Sequence, residues 1–295
     1  MSIRLFHDPC GFCVMDDSVE NLDQVLYSGT MPTAIVPIYT PEGFVVASDR
    51  YRDKDYLDAQ KVFHLSPRTS YAISGWAGVS DEETGVGISF AGECNDVATA
   101  LDMHGFTDLK SYGETFARTV GESIQRKIGE ARKRGSITPD DYATKIANKD
   151  RWSILHFNGY WRGVPSMAAW TIVFHLDQSS VKEYFSRLQV LPDDRYFVGS
   201  RSMLNLLMTT TDGGYFEKYK TPSFKKLIAR GGVSLQEAIE AATNYIEACS
   251  QPEAKDSYPD CESIGGKVRI ATIKPVEGFA WVPGSEPNEL DDVHR

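Results

Sequence analysis

A chain of 295 residues with 41% hydrophobic and 24% charged side chains can bury a sizeable core, which excludes extensive disorder. Its formal charge of −10 disfavours nonspecific binding to nucleic acid or to an anionic membrane surface, and no apolar run approaches the roughly 20 residues that span a bilayer. Five cysteines in a chain this long make no disulfide framework, and the stretch MSIRLFHDPCGFCVMDDSVE lacks the apolar core of a secretory signal, so the cytoplasm is the expected compartment. Cys10 and Cys13 form one Cys-x-x-Cys pair. With no second pair and a poor helix start behind it, incidental or structural thiols outweigh metal or redox work, and no cofactor or metal is expected.

Residues 33–39 and 43–48 read as a hairpin, two apolar runs rich in Val, Ile and Ala around a Pro-Glu-Gly turn. A second hairpin is expected over 61–65 and 70–74, ended by the small residues of Gly75-Trp76-Ala77-Gly78. Phe90, Cys94, Val97 and Leu101 recur at helical spacing, and Leu109, Tyr112, Phe116, Val120, Ile124 and Ile128 do so on a longer helix. Basic residues and Gly135 in ARKRGS stop that helix. Residues 136–165 read as an insertion, with a helix start at Thr138-Pro139 and then an aromatic loop, WSILHFNGYWRGVPS. A third hairpin spans 169–176 and 181–188. A short helix with Met203, Leu204, Leu206 and Leu207 follows Tyr196–Ser200. Ser234-Leu235-Gln236-Glu237 is a capping box, opening a helix that puts Leu235, Ala238, Ile239, Ala242 and Ile246 on one face. Residues 267–274 read as a closing strand and 275–295 as an acidic flexible tail.

Hairpins make antiparallel sheets, and each sheet has two faces to cover. Two sheets packed together with a helix pair over each outer face bury everything. The expected fold is therefore α+β, a four-layer α/β/β/α sandwich of two antiparallel sheets. It forms one domain over 33–274, preceded by a leader-like segment, 1–32.

The stretch TAIVPIYTPEGFVVASDR resembles the start of a proteasome β-subunit or a bacterial proteasome-like peptidase, members of the N-terminal-nucleophile (Ntn) hydrolases. That resemblance rests on landmarks in a fixed order. Thr33 comes first, Gly43 leads the second strand, and Asp49 stands sixteen residues after Thr33. Lys61 follows in DAQKVFHL, Gly75 in SGWAG, Ser200 in VGSRS, and Asp260 and Ser263 in DCESIGG. Together they cover most of the chain, and the family shares the sandwich just described.

The resemblance implies a threonine protease, or another amide hydrolase, whose nucleophile Thr33 is exposed when the propeptide 1–32 is removed. A threonine hydroxyl is a poor nucleophile unless a base takes its proton. An exposed α-amine, with an ordinary pKa of about 7.7–8.0, can be that base. Lys61 would lower the nucleophile's pKa, Asp49 would hold the lysine, and the Gly75 N–H would face the developing oxyanion. Ser200, Asp260 and Ser263 would hydrogen-bond the terminal amine and bridge to Thr33. Peptides or proteins would be the substrate, and a homo-oligomer, with or without an ATPase partner, the working form.

The chain also departs from the family pattern. Pro32 replaces the Gly that precedes the nucleophile in self-cleaving members, Tyr51 stands where an Arg is favoured, and GSGS has become GSRS. Pro32 keeps open a second reading, a catalytically silent proteasome-like subunit that retains its leader and serves as a scaffold. Thr30, at the Gly29-Thr30 junction three residues earlier, is a distant second nucleophile candidate, and Cys10 a third, weaker one.

Overall fold

The structure, a computed structural model, describes residues 33–50, 60–75, 78–81, 86–136, 138, 151–175, 178–192, 194–209 and 214–287. Within them the chain is mixed α+β, with two antiparallel sheets and several helices. Strands β1 (Ile35–Thr40) and β2 (Gly43–Ser48) form the first hairpin, with Ile35 opposite Ser48. Its turn is closed by the Thr40 hydroxyl, which donates to the Gly43 carbonyl and accepts from the Glu42 N–H. Gly43 has φ +149°, and a Cβ there would lie 2.6 Å from the carbonyl oxygen of Ile273. Glycine is needed for the neighbouring strand to approach this closely.

The second sheet has the order β3 (Val62–Ser66), β4 (Thr69–Gly75), β7 (Arg151–Trp161), β8 (Val164–Phe174), β9 (Ser179–Arg187). A small hairpin of β5 (Gly78–Asp81) and β6 (Val86–Ser89) follows β4 and leads into helix α1 (Phe90–Ala100). Helix α2 (Leu109–Lys133) ends at the predicted basic turn and Gly135, which has φ +74°. Its buried face includes Leu109, Tyr112, Phe116, Val120, Ile124 and Ile128, as the spacing predicts.

Residues 151–161 correct the expectation of an insertion with an aromatic loop. They form a central strand of eleven residues, paired on both sides. Leu155, Phe157 and Trp161 face the helices, whereas His156, Asn158 and Tyr160 alternate with them. His156 and Asn158 on the second face, and Gly159 interrupting the first, hide the period of two from a reading by hydrophobicity. The expected loose tail likewise begins with order. β10 (Arg269–Lys274) pairs with β2, and β11 (Gly278–Trp281) pairs with β10, so the first sheet runs β1-β2-β10-β11.

Alternation along the strands sorts the core into three clusters. Tyr71, Leu155, Phe157, Trp170 and Ile172 pack with α1 and α2. Val45, Ala47 and Ile270 pack with helices α3 (Arg201–Met208), α4 (Pro222–Ile228) and α5 (Leu235–Cys249). Between these, Phe44, Val46, Ala271 and Ile273 of the first sheet meet Val62, Ala72, Tyr160 and Met167 of the second. Helix α5 opens with the predicted capping box, both hydrogen bonds of which are formed, and is followed by α6 (Pro252–Ser257). No helix among the described residues is long and apolar enough to cross a membrane.

Candidate functional site

The first hairpin returns the chain to its starting point. With Ser48 opposite Ile35, Asp49 lands beside Ala34, and the two exchange hydrogen bonds. The Asp49 N–H donates to the Ala34 carbonyl at 3.2 Å, and the Ala34 N–H donates to Asp49 Oδ1 at 2.9 Å. Lys61, just ahead of β3 in the other sheet, donates from Nζ to the same Oδ1 at 2.7 Å. The Gly265 N–H donates to Oδ2 at 3.2 Å, and the Arg50 N–H donates to the Gly265 carbonyl at 3.0 Å. One carboxylate thus ties together residue 34, residue 61 and the loop before β10.

All of this is shielded from water. Asp49 has 0% of its surface exposed, Lys61 7% and Thr33 8%. Burial pushes the Asp49 carboxyl up, against the lowering effects of Lys61 and the two amides. Burial likewise pushes the Lys61 ammonium down, against Asp49, which raises it. A lysine destabilised in its charged form, one residue removed from a threonine through a shared carboxylate, is equipped to hold or take up a proton.

A second group converges on the free edge of β1. Residues 194–198 run along it, with Ile35 and Val198 exchanging backbone hydrogen bonds at 3.0 and 2.9 Å. Gly199 follows with φ +141°, where a Cβ would lie 2.8 Å from the Tyr245 hydroxyl and 3.4 Å from Ala34. Ser200 then caps α3, its Oγ accepting from the Met203 N–H at 2.9 Å. Asp260 Oδ2 accepts from the Ser202 N–H at 3.0 Å, placing a carboxylate at the same helix N-terminus. The other oxygen, Oδ1, is buried and finds no hydrogen-bond partner among the described residues. Ser263 is half-buried in the turn that leads to Gly265.

Of the residues expected to bridge to Thr33, two are placed by hydrogen bonds at the start of α3. Ser200 and Asp260 are engaged by the α3 amides, and Gly199 provides the close approach to Ala34. Around them sits a polar cluster with no signal in the sequence. Tyr245 donates to the Ser200 carbonyl at 3.1 Å, and the buried Cys261 thiol bonds with Cys249 and with the Ser200 hydroxyl. Its hydrogen bond with Cys249 chiefly holds the Cys261 thiol below its ordinary value.

Gly75 closes β4 with φ +95°, opposite Ser153. A Cβ would fall 2.5 Å from the Trp152 carbonyl oxygen, so no other residue fits without a shift. The Ile73 N–H donates to the Lys61 carbonyl at 2.9 Å, which links this strand end to the charged pair. A buried histidine, His156, lies beside the same strand and was not a candidate from sequence. Cys10, Cys13, Thr30, Pro32, Tyr51 and the Trp76-Ala77 part of SGWAG lie outside the described residues. Among the described residues no group of three or more His, Cys, Asp or Glu could hold a metal ion. Comparison of the chain with protein-family models and with curated proteins gives no match.

Proposed function

We propose that the chain is an amide hydrolase of the threonine-peptidase type, working through Thr33 once the residues before it are removed. The observation that carries this reading is the shared oxygen of Asp49, which binds the Lys61 ammonium and the amide of the residue after Thr33. That arrangement supports a nucleophile flanked by a lysine of lowered pKa, with the α-amine freed by cleavage as the second proton carrier. Gly75, on the strand tied to Lys61, is the proposed oxyanion donor, and the Ser200–Asp260–Ser263 group orients the new N-terminus. The three core clusters favour a four-layer α/β/β/α order of the proteasome-like, Ntn type. Substrates are peptides or proteins, and the working form is a homo-oligomer, open to an ATPase partner. Free, buried Cys94, Cys249 and Cys261 suit a reducing cytoplasm.

Pro32 and the commitment of Ser200 and Asp260 to capping α3 favour a second reading, a silent scaffold subunit that keeps its leader. Intact mass and N-terminal sequencing of the purified protein separate the two. A mature chain beginning at Thr33, with Thr33→Ala left uncut, supports the hydrolase. An uncut wild-type chain that is inert toward a peptide epoxyketone leaves the scaffold.

A further inference from the structure

The candidate site straddles the two sheets. Thr33, Asp49 and Ser200 belong to the first sheet and its edge, whereas Lys61 and Gly75 border strands of the second. Most of the layer between the sheets is apolar, with Phe44, Val46, Ala271 and Ile273 facing Val62, Ala72 and Met167. Apolar contact is strong but non-directional, so it does not by itself fix how one sheet sits along the other. Any reaction between Thr33 and a group held at Gly75 depends on that offset, since a misplacement of about 1 Å costs on the order of 100-fold in rate.

A polar chain crosses this layer. Ser74 Oγ lies 2.9 Å from His156 Nε2, and His156 Nδ1 lies 3.0 Å from the Tyr196 hydroxyl. His156 is fully buried and Ser74 nearly so. Each end of the chain is anchored next to a site residue. Ser74 immediately precedes Gly75 in β4, which is paired with β7 on its inner side. Tyr196 lies four residues before Ser200, and its N–H donates to the Pro37 carbonyl of β1 at 3.3 Å. A neutral imidazole offers one donor and one acceptor, and both hydroxyls can complement it in either tautomer. A buried polar chain has a directional geometry that the apolar side chains around it lack.

We propose that His156 is a positioning residue, which through Ser74 and Tyr196 sets the spacing between the Thr33 edge of the first sheet and Gly75 at the end of β4. This rests on Thr33 being the nucleophile. Burial holds the imidazole's pKa down at about 3, so the link stays neutral and intact across the working pH range of most enzymes. A leucine at 156 would fill much of the same volume, but it would remove this link between the Ser74 and Tyr196 hydroxyls and leave the Lys61–Asp49 pair as a directional contact between the sheets.

The test is the rate at which a peptide epoxyketone labels Thr33 in the full chain, followed by mass spectrometry over a range of probe concentrations. The variants are Ser74→Ala, Tyr196→Phe, His156→Leu and His156→Gln, the last keeping one donor and one acceptor. Expected are a fall in the limiting labelling rate of tenfold or more, about the size of a sub-ångström to 1 Å misplacement, for Ser74→Ala and Tyr196→Phe. The half-saturating probe concentration should stay within about twofold of wild type, because the probe's binding contacts are untouched. His156→Gln should recover a substantial part of the rate lost in His156→Leu. Tyr196→Phe removes only a hydroxyl, so it answers the question even where His156→Leu fails to fold. Wild-type rates in both hydroxyl variants would overturn the inference alone. A wild-type chain unlabelled at Thr33 would overturn the nucleophile reading, and this inference with it.

Discussion

Asp49 accepts from two amides and the Lys61 ammonium while out of contact with water, so the loss of Lys61 breaks a buried ion pair. Breaking such a pair costs about 3–5 kcal/mol, whereas removing both charges costs less. Lys61→Met should therefore lower stability to urea by that amount, and Asp49→Asn combined with Lys61→Met should recover part of it. Equal loss in the single and double variants would show that the pair acts through packing alone. His156 makes a prediction in pH. Its folded-state pKa, lowered by burial to about 3 from an ordinary 6.5, means that the unfolded chain binds more protons throughout that window. The stability is present in full above pH 6.5 and is lost as pH falls toward 3, with a slope of about 1.4 kcal/mol per pH unit. Asp49, raised by burial, acts with the opposite sign above 3.8, so the wild-type profile is a composite. The difference between wild type and His156→Gln isolates the histidine, and urea unfolding between pH 7 and 4 should show a shallower fall in the variant.

Helix α2 carries two glycines whose positions predict opposite outcomes. At Gly113 a Cβ would sit 2.4 Å from the Trp170 ring, while at Gly129 none of the described residues comes within 4 Å. Alanine raises helix propensity by about 1 kcal/mol at either site. Gly129→Ala should gain close to that amount, and Gly113→Ala should lose about 1–3 kcal/mol as the overpacked ring is displaced. Thermal unfolding of the pair checks both, and stabilisation by Gly113→Ala would mean that the helix can move off the sheet. The contrast bears on what the chain discloses before it is folded. The buried stripe of α2 was legible because it repeats at 3.6 residues and ends in ARKRGS, whereas the partner of Gly113 comes from a strand 57 positions later. β7 was misread because each of its faces meets a different layer, one apolar and one carrying His156 and Asn158. Asp49 and Lys61 were legible as a pair only through the resemblance, whose landmarks put an acid sixteen residues after Thr33 and a lysine at the start of the following strand. The Ser74–His156–Tyr196 chain was not, since its members are ordinary core and loop residues until three segments meet.

At the scale of the molecule, β11 joins the two sheets at the end opposite in sequence to Thr33. The Phe279 N–H donates to the Pro67 carbonyl in the β3–β4 turn at 2.8 Å, and a Cβ on Gly278 would lie 2.3 Å from that oxygen. Gly278 also has φ +82°. Gly278→Ala should part this contact and lower stability by about 1–3 kcal/mol. Far-ultraviolet circular dichroism and tryptophan fluorescence should still report one shared transition, since the central cluster draws side chains from both sheets. Two separated transitions would show that the sheets are independent units. The Gly265 amide that completes the Asp49 cage lies 216 positions beyond that carboxylate. At synthesis rates of about 5–20 residues per second, Thr33 precedes its last supporting amide by roughly 10–50 s. The fold thereby acts as a clock. Whatever chemistry the site performs, a nascent or prematurely ended chain holds the threonine and the lysine without the enclosure that makes them matter.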